Sequence, residues 1–199
     1  MDSHVLITGT GRAGTSLLVQ ILTELGLDTG FKKGVKLDAK SNAGLERNIK
    51  DIGRWSYIVK NPEFCFEIPM ILKEKEIDHV FICVRDAWDT ALSRRENARN
   101  NALGGYWYAD TIQEQIDSND LAVHQLIQSI AYHDLQNTII CFDKMVEDCE
   151  YLWLKLTPLL VSFILNETTD TYDAINLVSY EEFKEVYYRI VDKSKIKFK

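Results

Sequence analysis

The short apolar run His4-Val5-Leu6-Ile7 leads directly into Thr8-Gly9-Thr10-Gly11-Arg12-Ala13-Gly14-Thr15-Ser16. Beyond it Leu17, Leu18, Ile21, Leu22 and Leu25 recur at helical spacing until Gly26 offers a stop. Strand, glycine turn and helix in that order constrain this chain more than any other feature. Glycines let the backbone curl and point successive N–H groups at a phosphate lying at the helix start. The spacing is Gly-x4-Gly-x-Ser, that of a P-loop. The lysine usual in such a loop would fall at position 15, where this chain has threonine, so the group that bridges the β- and γ-phosphates of a nucleoside triphosphate is missing. Arg12 is the loop's own cation, and Thr15 and Ser16 bring hydroxyls to the helix start. A glycine-rich turn that binds nothing is the plain alternative; the strand-turn-helix setting and the hydroxyl pair favour an anion site.

Further short runs rich in β-branched or aromatic residues, Ser56 to Val59, Val80 to Val84 and Thr138 to Phe142, predict three more strands. Each is separated from the next by enough chain for a helix. Helices are expected near Phe66 to Glu76, Asp89 to Ala98, Leu121 to His133 and Val146 to Leu160, with one more amphipathic helix over Tyr180 to Ile190. The lysine-rich end, Lys193 to Lys199, is expected to fray. This alternation predicts an α/β class: a three-layer P-loop fold, its mostly parallel central sheet flanked by helices. A chain of 199 residues, 46% apolar, without repeats or a low-complexity linker, reads as one domain over 1–199. Ligands of such sheets lie beyond the carboxyl ends of the strands, so the residues after each strand are the candidates for chemistry.

Charge narrows the ligand further. With 23 basic against 30 acidic residues the formal net charge is -7, which argues against nucleic-acid or anionic-membrane partners; an anionic ligand has to be held by a local site. Cys65, Cys83, Cys141 and Cys149 form no CxxC pair and read as reduced thiols. With no signal-peptide core or membrane-length apolar run, the expected location is the cytoplasm.

The loop resembles that of the sulfotransferase family, whose 5′-phosphosulfate loop reads Gly-x-Gly-Arg-Ser-Gly-Thr-Ser in many bacterial members. A second match follows the strand Val80 to Val84. The segment Arg85-Asp86-Ala87-Trp88-Asp89-Thr90-Ala91-Leu92-Ser93 is similar to the family's 3′-phosphate segment, with an arginine at the strand end and a serine eight residues on. A guanidinium forks onto phosphate oxygens, and a hydroxyl two helical turns along closes the same pocket. Weaker echoes are Gly44-Leu45-Glu46, like an acceptor-side Gly-x-Glu, Tyr57-Ile58-Val59-Lys60-Asn61-Pro62, like a strand ending in lysine, and Phe142-Asp143 to Asp148, like the family's late strand. Ala87 and Asp143 depart from its usual proline and glutamate, and no clear late Arg-Lys-Gly segment is present.

The resemblance implies transfer of a sulfuryl group from 3′-phosphoadenosine 5′-phosphosulfate to the hydroxyl or amine of a small-molecule or glycan acceptor, with no metal. It implies Gly11, Arg12, Ala13, Gly14, Thr15, Ser16, Arg85 and Ser93 as donor-binding residues and Arg12, Lys60 and Glu46 as catalytic ones, Glu46 being the base and Glu63 the second candidate. Gly104-Gly105-Tyr106-Trp107-Tyr108 is a candidate acceptor wall or lid. Trp55, Trp88 and Trp153 read as core or interface residues, and His79, His124 and His133 as structural ones. Two other readings stay open: a P-loop kinase or NTPase with Asp143 as the metal-binding carboxylate and Ser16 on Mg²⁺, and a nucleotide-binding protein without catalysis.

Overall fold

The computed structural model describes residues 2–167 and 178–192; the lysine-rich end lies outside the described residues. Four strands, β1 (Ser3–Gly9), β2 (Ile58–Lys60), β3 (Glu76–Val84) and β4 (Asn137–Cys141), form one sheet in the order β2-β1-β3-β4, every pair parallel. The register pairs Ile7 with Lys60 on one side and with Phe81 on the other. Because successive strand side chains point to opposite faces, the sheet divides its apolar residues between two cores. Val5, Ile7, Ile58, Phe81, Cys83 and Ile140 serve one; Leu6, Val59, Val80 and Ile82 serve the other.

The first core is covered by α1 (Thr15–Glu24), α5 (Phe142–Glu147), α6 (Cys149–Glu167) and α7 (Tyr180–Ile190), the second by α2 (Phe64–Ile71) and α4 (Ile112–Tyr132). The helix α3 (Ala87–Arg99) packs against α4. The three-layer arrangement is that expected, and α7 has the bounds read from its amphipathic pattern. Phe183 and Tyr187 of α7 are buried, and the Tyr187 hydroxyl donates to the Met145 carbonyl at 3.0 Å, which fixes α7 beside α5.

Several boundaries differ from the pattern-based expectation. The helix expected over Phe66 to Glu76 begins at Phe64 and ends at Ile71. Glu76 instead opens β3, paired with Ser3, so sheet pairing overrides the helical propensity of Lys73 to Glu76. The helix expected from Leu121 starts nine residues earlier, where Thr111 and Glu114 form a reciprocal capping box; this Thr-x-x-Glu signal was present in the sequence. The expected Val146 to Leu160 helix is two, because Asp148 leaves helical geometry (φ -128°, ψ 105°) and its carboxylate accepts from the Tyr151 N–H at 3.0 Å, capping α6. Strand β2 starts two residues after Ser56 and runs on to include Lys60, and Phe142 opens α5 rather than ending β4. Trp88 is 54% exposed, which removes the core alternative of its core-or-interface reading. All four cysteines are free, and among the described residues no helix is long and apolar enough to cross a membrane.

Candidate functional site

The chain passes from β1 to β2 on one side and then crosses back over β1 to β3 on the other, so the strand order reverses at β1. Parallel sheets open a crevice at the carboxyl end of such a strand. The loop Gly9 to Gly14 occupies that end. Gly11 (φ 68°), Arg12 (φ 53°) and Gly14 (φ 88°) are left-handed, a conformation that costs a residue with a side chain about 1–2 kcal/mol, so holding Arg12 there is a strained choice. Space as well as dihedral requires glycine at Gly9 and Gly14. A side-chain carbon on Gly9 would stand 2.2 Å from the Cys83 carbonyl oxygen, and one on Gly14 would stand 2.1 Å from Met145 Cε and 2.7 Å from Phe142 Cδ2.

Helix α1 begins at Thr15 directly behind this loop. Its N-cap is Gly14, which offers no side-chain acceptor to the first-turn N–H groups. The first-turn residues Thr15, Ser16 and Leu17 line the cleft beside the loop, the position an anion at a helix start takes. The cleft is lined by Arg12, Gly14, Thr15, Ser16, Arg85 and Ser93, with Leu17, Phe142, Val146 and Val191 as an apolar wall and Gln20, Asn42 and Asp192 at its polar edge. Six of the eight residues expected to bind the donor thus share one cleft. Ala13 is fully buried in the apolar core, and Gly11 faces Arg94; neither lines it.

Arg85 leaves the end of β3 and Ser93 lies on α3, whose N-cap Asp86 accepts from the Asp89 N–H. The Arg12 Nε–H donates to Ser93 Oγ at 3.1 Å, and Arg85 Nη1 reaches the Arg12 carbonyl at the long limit of 3.5 Å. Arg85 also lies 4.0 Å from Asp89 and over the Phe142 ring at 4.6 Å. Burial pulls the Arg12 guanidinium down to about 10, and the like charge of Arg85 adds to it. Burial lowers Arg85 as well, opposed by Asp89, Asp143 and Asp86. Two partly desolvated cations side by side in a protein of net charge -7 make a local positive site of the kind an anionic ligand needs.

Lys60 and Glu46 form a second group beside this cleft without lining it. Lys60 is 2% exposed at the end of β2. Its ammonium donates to Ser16 Oγ at 2.9 Å, to the Gly44 carbonyl at 2.9 Å and to Glu46 Oε1. An ammonium has three hydrogens, and all three are engaged. Ser16 Oγ in turn donates to the Gly44 carbonyl at 3.0 Å. Burial lowers the Lys60 pKa, and the Glu46 carboxylate is the largest influence raising it again. The Glu46 side chain is 43% exposed, so the dry surroundings anticipated for a catalytic carboxylate are not there.

Glu63, the alternative base, is held by aromatic donors: Trp107 Nε1–H at 2.7 Å and Tyr108 O–H at 3.0 Å. Asp143 stands beyond β4, which β3 separates from β1. Among the described residues no group of three or more His, Cys, Asp or Glu is placed to hold a metal ion.

The residue that sequence reasoning missed is Arg94. It is 5% exposed and donates to the Thr10 carbonyl at 2.7 Å and to the Gly105 carbonyl at 2.8 Å. One signal was available. Helix α3 has no apolar stripe, and its buried face, Thr90, Ala91, Ser93, Arg94 and Asn97, is mostly polar, so it has to meet other polar groups.

No protein-family model matches this chain, and no curated protein does. Among solved structures, a sulfotransferase domain from the curacin biosynthetic pathway aligns with a TM-score of 0.50 and 11% identity, over 98% of this chain and 89% of that one. At such identity the likeness is one of fold, and the chain has a sulfotransferase-like α/β fold.

Proposed function

We propose that the protein is a sulfotransferase that takes 3′-phosphoadenosine 5′-phosphosulfate as donor and passes its sulfuryl group to a hydroxyl or amine of a small-molecule or glycan acceptor. The observation that carries this reading is the convergence of Arg12, Arg85, Ser93 and the uncapped start of α1 on one cleft. A ligand with two anionic groups close together on one ribose matches that layout: loop amides and Arg12 for one group, the adjoining Arg85 and Ser93 for the other. The apolar wall of Leu17, Phe142, Val146 and Val191 suits the planar base that the same ribose carries.

The donor supplies an activated sulfuryl group; the chain supplies position and charge. Arg12 and the α1 amides hold the phosphosulfate and meet the negative charge that grows on the leaving oxygen, each strong donor being worth about 3–4 kcal/mol in comparable oxyanion sites. Lys60 acts in this reading by fixing Ser16 and the Gly44 to Glu46 segment, since its three hydrogens are engaged. Glu46 is the proposed base: its exposure leaves it accessible to an acceptor, and such a group contributes about 10²–10⁴-fold. A kinase reading gains nothing from the geometry, with threonine at position 15 and Asp143 two strands from β1.

Calorimetric titration with adenosine 3′,5′-bisphosphate and separately with ATP and Mg²⁺ tests the donor. Selective bisphosphate binding, followed by transfer of labelled sulfate to an acceptor, is the expected result. Preference for ATP with Mg²⁺ overturns it in favour of a kinase. Bisphosphate binding without transfer to any acceptor leaves a nucleotide-binding protein.

A further inference from the structure

The segment Gly104 to Tyr108 is tied down on every side. Asn97 Nδ2 donates to the Leu103 carbonyl at 3.0 Å and lies 3.4 Å from that of Gly104. Arg94 Nη1 donates to the Gly105 carbonyl, and the Trp107 N–H donates to the buried Gln115 Oε1 at 2.7 Å. Glu63 then holds both Trp107 and Tyr108 through its two oxygens. This is a braced wall, and its brace nearest the loop is Arg94.

The Arg94 guanidinium is a rigid planar fork with one tine on each of two segments. Nη2 takes the Thr10 carbonyl, one residue before the left-handed turn of the phosphate loop; Nη1 takes the Gly105 carbonyl, in the wall. Its carbon lies 5.1 Å from the centre of the Trp107 ring, and no carboxylate lies within 4.0 Å of it among the described residues. Its charge is instead spread over two carbonyls and an aromatic face. Burial brings it down to about 9, the neighbouring Arg12 adds to that, and Glu63 opposes it. An anion seated at the loop offsets this repulsion between the buried Arg94 and the partly buried Arg12 guanidinium, and a shift of Thr10 would pass through a rigid group to Gly105.

The geometry points to Arg94 as a positioning residue that couples occupancy of the phosphate loop to the Gly104 to Tyr108 wall, with Trp107 as the residue that registers it. The coupling itself needs only an anion at the loop; that the wall faces an acceptor rests on the proposed sulfotransferase reading.

The test uses full-length protein labelled with 5-fluorotryptophan, the Trp107 resonance being assigned by its loss in Trp107→Phe. Wild type is titrated with inorganic sulfate and, separately, with adenosine 3′,5′-bisphosphate, and the Trp107 resonance is expected to move with saturation. In Arg94→Lys, which keeps the charge and loses the fork, the saturated shift is expected to fall below roughly half while the anion still binds. Arg94→Met should abolish it. Should Arg94→Met not fold, Arg94→Lys decides alone. A purely structural brace would lower the melting temperature and leave the saturated shift intact, and that outcome overturns the inference, as does a wild-type resonance that responds to neither ligand. Response to sulfate without response to bisphosphate keeps the coupling and sinks the donor assignment.

Discussion

The Nε–H of Arg12 donates to Ser93 Oγ at 3.1 Å, joining the phosphate loop to a helix 81 residues further along the chain. Ser93 therefore bears on the loop as well as on its own helix, whereas Arg85 reaches the Arg12 carbonyl at the long limit of 3.5 Å. We expect Arg85→Ala to weaken binding of adenosine 3′,5′-bisphosphate by roughly 1.5–3 kcal/mol and to change adenosine 5′-phosphate binding little. Ser93→Ala should weaken both ligands by a smaller amount, because it also releases Arg12. Calorimetry on the four pairings checks this; equal losses for both ligands in Arg85→Ala would remove it from the 3′-phosphate role.

The Lys60 and Glu46 pair is unequal. Lys60 is buried, and Glu46 is 43% exposed, so removing one is not equivalent to removing the other. Glu46→Ala leaves a buried ammonium without its carboxylate and should cost on the order of 3 kcal/mol. Lys60→Met leaves a hydrated carboxylate and should cost less than about 2 kcal/mol. Loss of Glu46 removes the chief influence raising the Lys60 pKa, which burial already lowers. Between that lowered value and the unfolded value near about 10.4, the unfolded chain binds the extra proton, so stability rises with pH. Glu46→Ala should regain part of its loss on moving from neutral pH toward about pH 10. Urea midpoints of both variants at the two pH values measure it; a larger cost for Lys60→Met than for Glu46→Ala would contradict the assignment.

Gly14→Ala should be more damaging than its size suggests. The new carbon would meet Met145 Cε at 2.1 Å and Phe142 Cδ2 at 2.7 Å, at a residue whose φ is 88°. We expect a loss of stability of roughly 2–4 kcal/mol, from overpacking and left-handed strain together. Pairing it with Met145→Ala should recover only the Met145 part of the packing share, since the Phe142 contact and the left-handed strain remain. A melting temperature within error of wild type for Gly14→Ala would show that the loop does not pack on α5 in this way.

The imidazole of His79 on β3 lies 2.9 Å from Thr138 Oγ1 on β4, and burial lowers its pKa. The folded protein therefore holds this ring neutral where the unfolded chain protonates. Its contribution to stability is present above about pH 6.5 and is lost as pH falls toward the lowered folded value. His79→Asn cannot titrate, so wild type should lose stability relative to it between about pH 7.5 and about pH 5. Denaturation midpoints at those two pH values test the sign, and a constant difference rules out a contribution from His79.

Thiol accessibility offers a check on the cores. Burial drives the Cys83 thiol up to about 12 and Cys65 to about 11, and raises Cys149, whereas Cys141 is only half-buried. Since the thiolate is the reactive form, an aromatic disulfide reagent should modify Cys141 first in native protein and all four cysteines only after unfolding. Mass spectrometry of the labelled peptides reports the order. Rapid labelling of Cys83 would place β3 outside the core.

The glycine turn between β1 and α1 was legible in the sequence because its conformation is written in neighbouring residues: glycines that accept positive φ, an apolar strand before them and a helical repeat after. The same locality explains why α7 was read with its observed ends. What the linear pattern could not contain is the set of partners that sheet register creates. Lys60 meets Ser16 only because β2 pairs with β1 in a register that places Lys60 opposite Ile7. Arg94 meets Thr10 across 84 residues only because β3 lies beside β1 and α3 follows it. Pairing also drew Lys75 and Glu76 to the start of the two central strands, where Lys75 bonds Asp2 and Glu76 pairs with Ser3, against a helical propensity that pointed the other way. The sequence by itself determined where a strand would turn through glycines into a helix and that a parallel sheet would present that turn. Tertiary structure decided which charged side chains surround it, because a buried cation is tolerated only where the fold brings carbonyls, hydroxyls, an aromatic face or a carboxylate to meet it.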